Sequence, residues 1–210
     1  MLRDDIQILV VATHHRRPLI LENEEFEQTL HTMCWTTDYD LPKDFKPRSD
    51  FCGLVVNHTG FMRNFKGHQD ALKQLIKPIA LVLEDDTGFA MPDWKIVVNR
   101  AAEHLGEFEV VSLHGREWFQ SDFSPRPLYG PCQLQAAKKS SGIWCVGALA
   151  YLIRQADTAL FLDLPYEGQP TDVLLHERYK FAVVDPSPFI HDRRQGSLAM
   201  SCPQPTLSNA

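Results

Sequence analysis

Three consecutive acidic residues, Glu84, Asp85 and Asp86, directly follow an apolar stretch at residues 79–83. Side chains alternate along a strand, so we expect Glu84 and Asp86 to point to one side and Asp85 to the other. Two carboxylates that enter a turn together bring oxygen atoms to one point, and hard divalent cations prefer oxygen ligands. Without a cation, carboxylates this close raise one another's pKa. The triplet therefore predicts either a divalent-metal site or a loop whose acids cap a helix or lie in water.

Candidate strands and helices alternate along the rest of the chain. The strand patterns lie at residues 6–13, 52–56, 79–83, 108–113, within 141–153 and at 181–184. The helical patterns lie at residues 21–33, 64–76, 92 to about 105, 155–162 and 172–179. This alternation predicts an α/β fold, a three-layer sandwich with a mostly parallel central sheet covered on both faces. Ligands bind such sheets beyond the carboxyl ends of the strands, which would gather residues 13–17, 84–87 and 114–116 on one rim.

Length and composition narrow the class of protein. We expect residues 1–200 of the 210 to form a single domain and residues 201–210 to be a flexible polar tail. Five scattered cysteines without a C-x-x-C pair argue against a disulfide framework and against a zinc ribbon. No apolar run approaches the roughly 18–20 residues that cross a bilayer, and the N-terminus lacks a signal-peptide pattern, so we expect a soluble cytoplasmic protein. The net charge of −6 does not favour nucleic acid as a partner.

Several segments, in order, are similar to the lipopolysaccharide-type glycosyltransferases of family 25, which have the GT-A fold. ALVLEDD, residues 80–86, is closely similar to the family's A-L-I-L-E-D-D, and GALAYLIRQADTALFL, residues 147–162, to its G-T-x-A-Y-L-I-S-x-x-G-A-x-x-L-L. The weaker matches are ILVVAT with its basic turn, GFMRNFKGHQDALKQLI, PTDVLL and HDRRQGSLA. Two features of the family are missing: its Thr-His pair is Ala148-Leu149 here, and its Cys and Ser-His on the earlier helix are not reproduced.

The resemblance implies a metal-dependent transferase that takes a sugar from a nucleotide sugar, with a UDP-sugar as the expected donor and Mn²⁺ or Mg²⁺ as the cofactor. A divalent ion neutralises the charge that grows on the leaving diphosphate. By the resemblance, Asp86 is the first candidate for a metal ligand. Glu84 is a second, and His191, with Asp192 as its alternative, would supply a ligand from late in the chain. A polar chain end with incidental charges is the competing interpretation of this last segment.

The resemblance also assigns the donor contacts. The candidate donor-binding residues are Thr13, Arg16, Arg17, His68, Glu84, Arg193, Arg194 and Ser197. Arginine suits phosphate through its planar fork of donors. We expect His68 at the start of a helix, where it would either meet a donor phosphate or be an ordinary polar residue. The competing interpretation of residues 16 and 17 is a solvated turn.

Two aspartates are the candidate catalytic residues. Asp85, like Glu84, would contact the metal or the ribose hydroxyls. Asp172 would deprotonate the acceptor hydroxyl if the enzyme inverts the anomeric centre. The competing role for Asp172 is the N-cap of the helix that it starts.

The acceptor and even catalysis itself stay open at this point. A glycan hydroxyl is the acceptor that the family suggests, while a viral-type DNA glycosyltransferase acting on a hydroxymethylated base is an alternative that the net charge opposes. A non-catalytic protein that only binds sugar nucleotides is a second alternative, and a metal phosphohydrolase is a third.

Overall fold

The computed structural model describes residues 1–13, 18–46, 58–114, 124–136 and 148–192. Its strands are β1 (Ile6–Thr13), β2 (His31–Thr36), β3 (Ile79–Glu84), β4 (Thr87–Phe89), β5 (Val110–Ser112), β6 (Arg126–Tyr129), β7 (Cys132–Ala136), β8 (Ala150–Arg154), β9 (Phe181–Asp185) and β10 (Phe189–His191). Its α-helices are α1 (Glu24–Glu27), α2 (His58–Leu72), α3 (Trp94–Ala102), α4 (Thr158–Leu162) and α5 (Thr171–Arg178). Short 3₁₀ helices lie at Leu19–Glu22 and Gln155–Asp157. The expected strand at 52–56 and the expected tail at 201–210 lie outside the described residues.

The main sheet of the described residues has eight strands in the order β2-β1-β3-β8-β5-β9-β7-β6. Strand β1 is parallel to β2 and β3, and β5 is parallel to β9. Strand β8 is antiparallel to both of its neighbours, and β7 is antiparallel to β9 and β6. Among these eight strands, β7 and β8 therefore run opposite to the other six. The expected α/β class is confirmed, with a mixed central sheet in which one direction predominates.

The central strands are apolar on both faces, which explains why helices cover both. Along β1, the side chains of Ile6, Ile8 and Val10 enter one buried cluster and those of Leu9 and Val11 enter the other. The first cluster also contains Trp94 and Val97 of α3 and Phe26 of α1, and the second contains residues of α2, α4 and α5. Strands buried on both sides carry continuous apolar sequence because neither face meets water. The three-layer arrangement is thus confirmed.

The predicted helix over 21–33 is wrong. The chain forms a 3₁₀ turn and the one-turn helix α1, whose first turn is capped by Asn23 Oδ1 accepting from Phe26 N at 2.9 Å, and then strand β2. Strand β2 pairs in parallel with β1, from Ile8 opposite His31 to Thr13 opposite Thr36. The threonines and tryptophan of HTMCWT favour a strand, and the backbone hydrogen bonds offered by β1 outweigh the weak helical pattern.

Two pairs of short strands include segments in which the sequence shows no periodicity. Strands β6 and β7 form a hairpin whose turn contains Gly130 with a φ of 53°, a left-handed conformation that glycine adopts without strain. Strand β10 pairs antiparallel with β4 in a separate two-stranded sheet, in a segment for which the sequence predicted no strand. Phe89 and Phe189 of this second sheet contact each other and pack against Phe26 and Trp94.

Helix α2 has 15 residues and is the longest helix described, six residues earlier at its start than the sequence pattern had suggested. None of the helices in the described ranges has the length and hydropathy that crossing a bilayer requires.

Candidate functional site

The acidic triplet lies at the carboxyl end of β3, beside the carboxyl end of β1, because the two strands are parallel with Val11 opposite Glu84. Asp85 Oδ2 accepts hydrogen bonds from Thr13 N at 3.0 Å and Thr13 Oγ1 at 3.2 Å. The Asp85 carbonyl accepts from Leu19 N at 2.7 Å and Ile20 N at 3.3 Å. Thr13 and the triplet therefore meet as the rim prediction required. In this structure Asp85, an expected catalytic residue, fixes the chain on both sides of residues 14–17.

The backbone of Leu149, the residue before β8, holds both ends of the acidic turn. The Leu149 carbonyl accepts from Glu84 N at 2.9 Å and from Thr87 Oγ1 at 3.1 Å. The turn between β3 and β4 is thereby fixed by an acceptor that belongs to a different part of the chain.

Asp86 contacts His191, which the two-stranded sheet brings to the same point. His191 is paired with Thr87 across that sheet, and Asp192 N donates to the Asp86 carbonyl at 2.8 Å. His191 Nε2 lies 2.8 Å from Asp86 Oδ2. When Asp86 is ionised its carboxylate only accepts, so the hydrogen of this contact is then on His191 Nε2. A metal ion bound by both groups would take the place of that hydrogen, because a nitrogen ligand must be unprotonated.

The surroundings of Asp86 disfavour its negative charge. Burial raises the pKa of Asp86, the hydrogen bond from His191 lowers it, and the neighbouring charges of Glu84 and Asp85 raise it again, with a net upward shift. A bound divalent cation would remove this penalty by supplying positive charge next to the carboxylate. One carboxylate and one imidazole are both ligand types that bind divalent metal ions, and by themselves they do not select one metal.

Glu84 is held by helix α2. Its Oε1 atom accepts from Asn64 Nδ2 at 2.8 Å and from His68 Nε2 at 3.2 Å. Burial opposes ionisation of Glu84, but the interactions with His68, Asn64 and His191 outweigh it and hold the pKa of Glu84 below its ordinary value. Glu84 is therefore an anion at neutral pH, fixed at one of its two oxygens.

The expectation that His68 begins a helix is wrong. His68 is the eleventh residue of α2 and is fully buried, with Nδ1 3.0 Å from the Tyr151 hydroxyl. Buried there, its ring contacts Glu84 and Tyr151 and is not at a helix N-terminus where a phosphate would bind. Helix α2 begins six residues before the predicted start at residue 64, and this added segment carries the buried Phe61 and Met62.

Asp172 is the second residue of α5 rather than its N-cap, a position that Pro170 occupies. Asp172 Oδ1 accepts from Val173 N at 3.0 Å, which still places the carboxylate at the positive end of the helix. The preceding residue, Thr171, donates from Oγ1 to Asn64 Oδ1 at 2.6 Å, so the start of α5 lies against α2. The general-base role of Asp172 stays a prediction.

Five expected donor-binding residues lie outside the described residues: Arg16, Arg17, Arg193, Arg194 and Ser197. Their roles stay predictions. The sequence reading did not identify Asn64, Tyr151 or Thr171 as a group around Glu84. The sequence could have predicted part of this group, because Asn64 and His68 are four residues apart and therefore share one face of a helix.

Across the described ranges, no group of three or more His, Cys, Asp or Glu side chains is arranged to enclose a metal ion. The predicted ligand set of Asp86, Glu84 and His191 is therefore not assembled in advance. Asp86 and His191 are in contact, whereas Glu84 is turned toward α2.

Comparison with solved structures gives distant similarities. No protein-family model matches the chain, and no curated protein matches it. The chain is similar to A197 from STIV, with a TM-score of 0.44 and 11% identity over 87% of this chain and 83% of that one. It is also similar to HddC from Yersinia pseudotuberculosis, with a TM-score of 0.41 and 9% identity over 84% and 68% of the two chains. At these scores neither structure carries an argument about function, so the proposal below depends on the site itself.

Proposed function

We propose that this protein is a GT-A-type glycosyltransferase that uses a divalent cation, Mn²⁺ or Mg²⁺, and a nucleotide-sugar donor. One observation carries the proposal: the last acid of the triplet, Asp86, meets His191 at 2.8 Å beyond the carboxyl end of β3. A carboxylate and an imidazole brought together from distant parts of the chain could hold a divalent ion that binds a diphosphate.

In the proposed site Asp86 and His191 would hold the cation, which would supply positive charge for the departing diphosphate. Thr13 and Asp85 fix the end of β1, where the nucleotide would bind. Glu84 is available as a third carboxylate for the donor or the cation. Asp172 is our candidate to accept the proton of the attacking hydroxyl, which an inverting reaction would require. We propose a UDP-sugar as the donor and a glycan hydroxyl as the acceptor.

The test is donor hydrolysis. Purified protein is incubated with UDP-sugars and Mn²⁺, and released UDP is separated from intact donor by chromatography. We expect slow release of UDP that requires the metal and disappears in Asp86→Ala. Asp93→Ala, which removes an exposed aspartate at the start of α3, is the matched control and should keep the activity.

The other outcomes identify the alternatives. A donor that stays intact although it raises the melting temperature would indicate a non-catalytic binding protein. Release of inorganic phosphate instead of UDP would indicate a phosphohydrolase. A thermal-shift screen of nucleotide sugars with and without Mn²⁺ should come first, because it also identifies the base and the sugar.

A further inference from the structure

A continuous set of hydrogen bonds connects the start of α5 to Glu84. Thr171 Oγ1 donates to Asn64 Oδ1 at 2.6 Å, and Asn64 Nδ2 donates to Glu84 Oε1 at 2.8 Å. The directions follow from chemistry, because the ionised carboxylate only accepts and must face the NH₂ group of Asn64. The amide oxygen then faces Thr171, whose hydroxyl must donate. Thr171, almost fully buried, thus determines which way the Asn64 amide points.

A second set of hydrogen bonds reaches the same oxygen from the other side. Asn64 and His68 lie one helical turn apart on α2, and His68 Nε2 donates to Glu84 Oε1 at 3.2 Å. Burial raises the pKa of Tyr151 far above its ordinary value, so its hydroxyl keeps its proton. In the neutral imidazole that hydroxyl donates to His68 Nδ1, and the ring then presents its Nε2 hydrogen to Glu84. One oxygen, Glu84 Oε1, thus accepts from both Asn64 and His68. These two donors are oriented in turn by Thr171 and Tyr151.

The second carboxylate oxygen of Glu84, Oε2, differs from Oε1 in its hydrogen bonding. Among the described residues, every hydrogen bond to the Glu84 carboxylate ends on Oε1. The side chain is still 22% exposed, at the rim where Asp86 and His191 meet. A carboxylate that served only to satisfy buried donors would have no need for a position at the rim.

We infer that Asn64, His68, Thr171 and Tyr151 are positioning residues that fix Glu84 through Oε1 and leave Oε2 for the bound donor and its cation. The inference rests on the proposed function and deepens it. Thr171 is the informative member, because it also begins the helix that carries Asp172. Glu84 and Asp172 would act on different parts of the reaction. Asn64 links the segments that carry them, because it contacts both Glu84 and Thr171.

The test compares three threonine variants. Thr171→Val keeps the shape and removes the donor to Asn64, whereas Thr171→Ser keeps the hydroxyl. The matched control is Thr158→Val, since Thr158 is also a buried threonine at the start of a helix and donates to the Gln155 carbonyl at 2.8 Å, in a separate part of the chain. Binding of UDP with Mn²⁺ is measured by calorimetry, and the Asn64 side-chain amide is followed by NMR.

We expect Thr171→Val to weaken binding of UDP with Mn²⁺ about tenfold, because the loss of an outer hydrogen-bond partner commonly weakens a metal site by at least that factor. The same variant should shift the Asn64 amide resonances. Thr171→Ser should restore binding to within about twofold, and Thr158→Val should lower stability without changing binding. Tyr151→Phe, a second variant at the opposite end of the network, should also weaken binding. A Thr171→Val protein that is folded and binds as wild type does would overturn the inference and leave the proposed function intact. If wild-type protein itself binds no UDP with Mn²⁺, the proposed function fails and the inference fails with it.

Discussion

His191 Nε2 lies 2.8 Å from Asp86 Oδ2, although 105 positions separate the two residues in the sequence. The contact depends on the two-stranded sheet, in which Thr87 pairs with His191. A carboxylate whose pKa is raised in the folded state is a cost to folding once it ionises. Such a group is retained more readily in a protein that needs its charge for a ligand.

Asp86→Asn should separate stability from function. Because the pKa of Asp86 lies above its ordinary value, the folded state binds more protons than the unfolded state between the two values, and stability falls as pH rises through that window. Asparagine does not titrate and its carbonyl can still accept from His191. We therefore expect a melting temperature without metal at pH 7 equal to or above that of wild type, and a smaller decline with pH. Added Mn²⁺ with UDP should raise the melting temperature of wild type only.

The control for this variant is Asp93→Asn, which changes an exposed aspartate and should alter neither value. If Asp86→Asn melted well below wild type without metal, the pair with His191 would have a structural role instead.

Gly67→Ala should destabilise the fold. A Cβ atom at position 67 would lie 2.5 Å from Thr36 Cγ2 and 3.0 Å from Val11 Cγ1, so α2 could not stay this close to β1 and β2. Helix propensity alone favours alanine by about 1 kcal/mol, whereas overpacking of a buried site costs about 1–3 kcal/mol, and we expect the second effect to dominate. Urea unfolding measures the difference.

Thr36→Ser removes the methyl group that causes the closest contact. The Gly67→Ala change should therefore cost less in a Thr36→Ser background than in wild type. Equal costs in the two backgrounds would show that this contact is not the source of the effect.

Much of the sheet and part of the site can be predicted from the sequence. The bounds of β1 are those that the apolar stretch indicates, and β3, β9 and the helices at 155–162 and 172–179 lie where expected. These elements have strong local periodicity. Strands β2, β4 and β10 lack such a pattern and could not be predicted. Each is stabilised mainly by backbone pairing with a strand from another part of the sequence. The contact of Asp86 with His191 depends on two of these strands, so spacing in the sequence could suggest the pair but not its geometry.

Gln69→Leu should lower stability by about 2 kcal/mol or more, because buried polar groups that lose their partner are costly. The side chain is buried, and its Nε2 atom donates to the carbonyls of Phe161, Leu162 and Leu164 at 2.9, 3.2 and 3.0 Å. These are acceptors at the end of α4. Gln74→Leu, an exposed glutamine on the following turn, should change stability by less than about 0.5 kcal/mol. Similar losses for the two variants would argue against a capping role for Gln69.

Tyr39→Phe should change how stability responds to acid. Partial burial opposes ionisation of Asp70, but hydrogen bonds from Lys73 and from Tyr39, at 2.6 Å, hold the pKa of Asp70 below its ordinary value. The stabilisation is therefore present above the ordinary pKa of aspartate and is lost as pH falls through the lower, folded-state value. In Tyr39→Phe we expect the Asp70 pKa to move upward and the loss of stability in acid to be smaller.

An NMR titration of the Asp70 carboxyl carbon, with urea unfolding at neutral and acidic pH, measures both effects. Tyr129→Phe is the control, since that hydroxyl donates to Asp93 on the exposed surface at 3.2 Å. An Asp70 titration that is the same in Tyr39→Phe as in wild type would contradict the prediction.

The Leu149 carbonyl accepts hydrogen bonds from Glu84 N and Thr87 Oγ1. A carbonyl group of the main chain is present whatever the amino acid at that position. Residues 148 and 149 are alanine and leucine, and both side chains are buried. The acidic turn is therefore held at this point by the main chain, while the two side chains contribute to the core.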